Sequence, residues 1–325
     1  MTTPYLEPGG AVDRALRDAG LEVVFARRAD REATGRTLAE YIAGAAGVVA
    51  GTDPFTAEVM AAAPGLKILS RCGVGYDNID VEAATRQGVA VTITPGTNRI
   101  SVAEHVLALM LNCARRIPQN LAAVRGGDWT QQSGRELHGT TLGVVGLGSI
   151  GKTVARAALA LGMRVVAHDP WLDQDFLDET GVEARPLDGV LAEADFLTLH
   201  ISLDDTTRHL IDAAALRRMK PDAYLINTAR GGVVDEDALA DAVEAGRLAG
   251  AALDVTEHEP LPADSRLRAL DSVLVTAHIG AATVEARARS GALAARQVID
   301  VLADRAPEHL VNPDRASAAA GAGAR

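Results

Sequence analysis

At 325 residues the chain exceeds one average domain, and with 48% apolar but only 3% aromatic residues its cores are expected to be built from Ala, Val, Leu and Ile, as where helices cover a parallel sheet. The 43 acidic against 32 basic side chains leave a formal charge of -11, which repels phosphate backbones and anionic membranes and excludes nucleic acid as an expected partner. Cys72 and Cys113 show no metal-ligand spacing and cannot make a disulfide framework, and no stretch reaches the roughly 18 uncharged apolar residues of a membrane span, so the expectation is a cytoplasmic, unprocessed protein without metal or membrane contact.

Short apolar runs at residues 23–26, 47–50 and 68–70 read as buried strands in the first third of the chain. The turn-rich Thr94-Pro95-Gly96-Thr97-Asn98 follows and leads into a long helical stretch at 101–114, making it the expected hinge. Further strand-like runs lie at 142–145, 164–167, 196–200, 223–227 and 273–277, with helical spacing between them at stretches such as 150–161 and 236–245. Strand and helix alternate, which predicts an α/β class with two doubly wound parallel sheets. Residues 316–325 are too small and polar to bury a core and are expected to be disordered.

Gly146-Leu147-Gly148-Ser149-Ile150-Gly151 follows a strand-like run and opens a helix, the context that a dinucleotide fingerprint requires. Gly146 suits a tight turn, Gly148 the approach of a pyrophosphate to the backbone, and Gly151 close helix–strand packing, with the helix N-terminus at Ser149 and Ile150 facing the negative charge. About twenty residues on, Asp169 stands where a carboxylate binds the ribose hydroxyls and repels a 2'-phosphate, which predicts NAD as cofactor.

Three expected strand ends then carry charged groups: Arg230 in Thr228-Ala229-Arg230-Gly231-Gly232, Glu259 in Glu257-His258-Glu259-Pro260, and His278 in Ala277-His278-Ile279-Gly280. A small 2-keto acid needs a cation for its carboxylate and carbonyl, and Arg offers a planar, bidentate fork. Its reduction needs a proton donor that works near neutral pH, the property of histidine, and a carboxylate such as Glu259 orients the ring and favours its charged form.

At these residues the chain resembles the D-2-hydroxyacid dehydrogenase family, and within it the phosphoglycerate and hydroxypyruvate or glyoxylate dehydrogenase branch. The resemblance also covers Ser70-Arg71-Cys72-Gly73-Val74-Gly75-Tyr76-Asp77-Asn78-Ile79-Asp80, Pro95-Gly96-Thr97-Asn98 and Ser101-Val102-Ala103-Glu104-His105. It implies Arg230, Glu259 and His278 as catalytic residues, Val74 and Gly75 as backbone donors to the substrate carboxylate, Arg71 near a substituent on carbon three, Thr207 near the cofactor phosphates, and Asp254 with Ala229 near the nicotinamide. It further implies a Rossmann cofactor domain (95–280) inserted in a flavodoxin-like substrate domain (1–94 and 281–315), and a homodimer joined through the cofactor domains beside the helix at 101–114. Departures from the family pattern are Ala277 and Ser202 where Pro is common and Thr256 where an aromatic is common; none removes a catalytic group. A non-catalytic NAD-sensing regulator and a phosphite-type oxidation are the alternatives. The formate branch fits less well, since it usually lacks the Glu supplied here by Glu259.

Overall fold

The computed structural model describes residues 1–314, so the expected disorder of the tail at 316–325 falls outside the described residues. The chain forms two compact units, one of Met1–Asn98 with the described residues from Thr283, the other Arg99–Ala282.

The first unit is built on three parallel strands in sequence order, β1 (Gly47–Ala50), β2 (Ile68–Arg71) and β3 (Ala90–Thr92). Both faces are covered: Leu38, Phe55, Met60 and Ala84 pack on one side, and Leu16, Ala294, Val298 and Val301 on the other. Burial on both faces is why these strands read as unbroken apolar runs rather than as an alternation. Residues 23–26 were expected to form a strand and do not: bonds to Met1, Met1 N to Val24 O at 2.7 Å and Ala26 N to Met1 O at 2.9 Å, and from the Arg17 and Arg31 side chains to Val23 O and Ala26 O hold them. A run with strand propensity forms no ladder where its neighbour is a stub.

The second unit carries seven parallel strands: β4 (Thr141–Val145), β5 (Arg164–His168), β6 (Glu183–Ala184), β7 (Phe196–Leu199), β8 (Tyr224–Asn227), β9 (Gly250–Leu253) and β10 (Val273–Val275). Their order is β10-β9-β8-β7-β4-β5-β6, so the winding reverses beside β4, whose neighbours are β5 and β7. The chain leaves β4 toward β5 on one side and β7 toward β8 on the other, and at such a switch point doubly wound sheets take ligands. The helix Arg99–Arg115 lays Ala103, Val106 and Met110 against Leu142 and Val144 on one face, and the opposite face is closed by Val190, Leu216 and Leu239. Neither β3 nor β9 stood out in the sequence; Gly250-Ala251-Ala252-Leu253 has little intrinsic strand preference and becomes a strand because it is fully buried between β8 and β10.

Candidate active site

Beyond β4 the chain turns at Gly146, whose φ of 95° is a left-handed conformation open to glycine, and a Cβ there would come within 2.5 Å of the His200 carbonyl oxygen. A Cβ on Gly151 would fall 2.1 Å from the Gly146 carbonyl oxygen, so this glycine sets the closeness of helix and strand. Around a Cβ on Gly148, by contrast, there is open space to 4 Å. Gly148 is also the N-cap of the helix Ser149–Ala160 and supplies no side-chain acceptor to its first turn. The first N–H groups, at exposed Ser149 and half-buried Ile150, are therefore open to an anion at the positive end of the helix dipole.

Asp169 lies one residue past β5 and faces this turn. One carboxylate oxygen accepts from Leu147 N–H at 2.6 Å and the other from Trp171 N–H at 2.8 Å, fixing the group while lone pairs remain for a diol. The residues present thus fit a dinucleotide. Thr228 Oγ1, beyond β8, is buried without a hydrogen-bond partner, a polar atom left for a ligand to satisfy. Thr207 is engaged locally: its hydroxyl donates to Ser202 O at 2.7 Å within the turn begun by Asp204.

The acid–base pair is assembled from two strand ends. His278 Nδ1 lies 2.8 Å from Glu259 Oε2, and both side chains are about two-fifths exposed, at 39% and 42%. With Nδ1 turned to the carboxylate, Nε2 is the ring atom left for chemistry. Arg230 follows β8, half-buried, with one guanidinium nitrogen donating to Ala229 O at 2.7 Å, and Ala229 N–H is held by Asn227 Oδ1 at 3.0 Å. Gly231 brings the two loops together: a Cβ on it would lie 2.0 Å from the Thr256 carbonyl carbon, so the Arg230 turn rests directly on the loop that carries Glu259.

His278 has φ of 53°, an unusual conformation for a residue with a side chain, which surrounding structure has to enforce. Asp254, at the end of β9 and 2% exposed, does so. Its carbonyl accepts from His278 N–H at 2.8 Å, one carboxylate oxygen accepts from Ile279 N–H at 2.8 Å, and the other from Gly280 N–H at 2.7 Å. His105, from the helix Arg99–Arg115, and Thr276 complete its shell at 3.2 Å and 2.5 Å. Burial pushes this carboxyl up, but the bonds from His105, Thr276 and the two N–H groups outweigh burial and hold it at about 2. Asp254, which the resemblance implies near the nicotinamide, anchors the His278 loop, a role that nothing local in the sequence marks because its partners lie up to 149 positions away.

In the other unit, Arg71 ends β2, lays its guanidinium over Gly73 and donates to Cys72 O. Gly73 has φ of 151° and is held through its N–H by Thr94 Oγ1 at 2.7 Å. Among the described residues neither Val74 N–H nor Gly75 N–H meets an acceptor in the chain, so both are available to an anion. No cluster of three potential metal ligands occurs among the described residues.

Residues 107–280 match the model of the D-isomer specific 2-hydroxyacid dehydrogenase, NAD binding domain. The chain is 47% identical over 249 residues to a D-3-phosphoglycerate dehydrogenase of Synechocystis, covering 76% of this chain and 45% of that protein. It is 43% identical over 269 residues to a glyoxylate reductase of Korarchaeum cryptofilum, covering 81% of each. Among solved structures, a D-lactate dehydrogenase from Aquifex aeolicus complexed with NAD and lactic acid is similar with a TM-score of 0.80 at 30% identity, covering 92% of this chain and 94% of that one. The chain spans about half the length of the phosphoglycerate dehydrogenases that it matches. A matched NAD-binding domain, relatives at this identity and a parallel sheet with its glycine turn at the winding reversal agree: the chain belongs to the D-isomer specific 2-hydroxyacid dehydrogenase family.

Proposed function

We propose that this chain is an NAD-dependent dehydrogenase that interconverts a small D-2-hydroxy acid and its 2-keto acid, with 3-phosphoglycerate or a similar three-carbon acid as first candidate and hydroxypyruvate or glyoxylate as second. The observation that carries the reading is the 2.8 Å pair of His278 and Glu259, with Arg230 on the loop packed against it. NAD supplies the hydride acceptor for oxidation and, when reduced, the donor for reduction. Arg230 grips the substrate carboxylate and polarises the carbonyl with its fork of N–H groups. In reduction, His278 Nε2 delivers the proton to the developing alkoxide while Glu259 holds the imidazolium; in oxidation the neutral ring takes the proton back. Loss of absorbance from reduced NAD on adding a panel of 2-keto acids tests the reading. Binding of NAD with no turnover on any of them would leave the sensing role in its place.

Asp169 supports NAD over its phosphorylated form: a 2'-phosphate would meet a carboxylate already fixed by two N–H groups. The expected preference in kcat/KM is about 2 kcal/mol or more, roughly thirtyfold. Equal values for the two cofactors would refute it.

For the substrate, Arg71 is the cation read as facing the group on carbon three. Arg71→Ala is expected to raise KM for phosphohydroxypyruvate at least tenfold more than KM for glyoxylate, which has no third carbon. Equal losses would mean that Arg71 supports only the Gly73 turn over which it lies. The second candidate is supported by the relative matched over 81% of both chains, which is named a glyoxylate reductase.

The protein is further proposed to act in the cytoplasm as a homodimer. No helix among the described residues is long and apolar enough to cross a membrane. The helix Ile117–Arg125 buries none of its residues, and Leu121 and Val124 on it are 52% and 51% exposed. An apolar helix face left in water is the usual mark of an interface. Leu121→Glu with Val124→Glu is expected to halve the native mass by light scattering, and an unchanged mass would remove this helix from the contact.

A further inference from the structure

Strands β7, β8 and β9 lie side by side, with β8 between the other two, and each sends a loop from its carboxyl end. The middle loop carries Arg230, and the loop after β9 carries Glu259. The loop after β7 is laced to the middle one. His209 N–H donates to Gly232 O at 2.8 Å, Ile211 N–H to Val233 O at 3.1 Å, and Asp235 N–H to Ile211 O at 3.1 Å, a short parallel pairing just past Arg230. From that pairing the His209 ring reaches the far loop: its Nε2 lies 2.9 Å from Glu257 Oε1, in the segment that leads directly to Glu259. A carboxylate only accepts, so Nε2 carries the hydrogen, and the neutral ring makes this bond as well as the charged one. Glu257 is held from behind, since its own N–H donates to Glu236 Oε1 at 2.6 Å at the start of the helix Glu236–Glu244.

We infer that His209 is a positioning residue: it clamps the β9 loop to the β7 loop across the Arg230 turn and so fixes where Glu259 meets His278. The inference rests on the roles proposed above for Arg230, Glu259 and His278. Glu259 sits on an irregular, two-fifths exposed segment, and the bond from Thr256 Oγ1 to His258 O at 2.8 Å shapes that turn without tying it to a neighbour. Gly231 already rests against the Thr256 carbonyl, but a contact made through a glycine sets how close two loops come and leaves them free to slide. A hydrogen bond is directional, and the one from His209 to Glu257 removes that freedom. The backbone is bent to make it: His209 has φ of 51°, an unusual conformation for a residue with a side chain, which the bond to Gly232 O has to hold. His209 and Glu257 are 41% and 29% exposed, and a pair so open to water adds little to global stability. The bent backbone at this point therefore serves the placement of a loop and not the support of the core.

The test compares His209→Ala, Glu257→Ala and the double variant with the parent in the full chain. Each single change is expected to lower kcat for 2-keto acid reduction about tenfold or more, because small misplacements of a catalytic group are costly, while KM for reduced NAD stays within about twofold. The melting temperature is expected to move by no more than about 2 °C. The double variant should lose no more than the worse single one, since both remove the same bond. His209→Gln, whose amide can donate to the same carboxylate, should recover most of the loss. Additive losses in the double variant, or unchanged kcat in His209→Ala, would overturn the inference. Amide exchange without substrate reads the clamp independently of turnover: residues 256–259 are expected to exchange about tenfold faster in His209→Ala, with β9 unchanged. Unaltered exchange at 256–259 would overturn the inference whatever the activity. A parent inactive on every keto acid would instead sink the dehydrogenase reading, and the exchange comparison would still decide whether His209 holds the loop.

Discussion

Replacing His278 with Gln is expected to lower kcat for 2-keto acid reduction by about 10²–10⁴, the usual span for loss of a general acid, while NAD affinity stays within a few-fold. The imidazole is the proton donor on this reading, and its orientation comes from the 2.8 Å contact with Glu259. Glu259→Gln separates orientation from charge: the amide keeps the shape of the side chain but no longer favours the imidazolium. Its expected effect is a smaller loss of kcat than that of His278→Gln, with NAD affinity again within a few-fold. Near-normal reduction by His278→Gln would place the acid on another side chain, and a full-sized loss in Glu259→Gln would give the carboxylate more than an orienting part.

Asp254→Ala is expected to cost about 3 kcal/mol of stability or more and to lower kcat more than it raises KM. Removal of the carboxylate leaves the N–H groups of Ile279 and Gly280 without acceptors in a buried site, and each orphaned donor costs roughly 1–3 kcal/mol. It also frees the segment that enforces the left-handed conformation of His278, so the imidazole loses its aim as well as its support. The acid dependence has a definite sign. Folding lowers the carboxyl from the ordinary 3.8 to about 2, through protein donors that outweigh burial. Its stabilising effect is therefore complete above pH 3.8 and is lost as the pH falls through about 2. At roughly 1.4 kcal/mol per pKa unit the contribution is about 2 kcal/mol. Chemical denaturation of Asp254→Asn and the parent at pH 6 and pH 3 tests this: their difference in stability is expected to shrink at the lower pH. A difference that stays constant would mean that the carboxylate charge does not hold the loop.

Much of the molecule is legible from local pattern. Strands buried on both faces are unbroken apolar runs, so β1, β2, β4, β5, β7 and β8 are visible as such. The glycine turn is visible because backbone geometry demands the residue: at Gly146 and Gly151 a side chain would collide with main-chain oxygens. Arg230, Glu259 and His278 are visible because each is a charged or titratable group at the end of an apolar run, where a buried strand gives no reason for it. Tertiary structure alone decided the rest. β9 is a strand through its neighbours and not through propensity, and residues 23–26 fail to become one beside a neighbour as short as Met1. The family resemblance singles out Asp254 for the cofactor side of the site, yet its function as an anchor comes from His105, Thr276, Ile279 and Gly280, which only folding brings to it. Periodicity reports what a segment buries and glycine what a backbone must do, both local properties written in adjacent residues. Which donor meets which acceptor across a sheet depends on distances between segments far apart in the chain, and those exist only after the chain has packed.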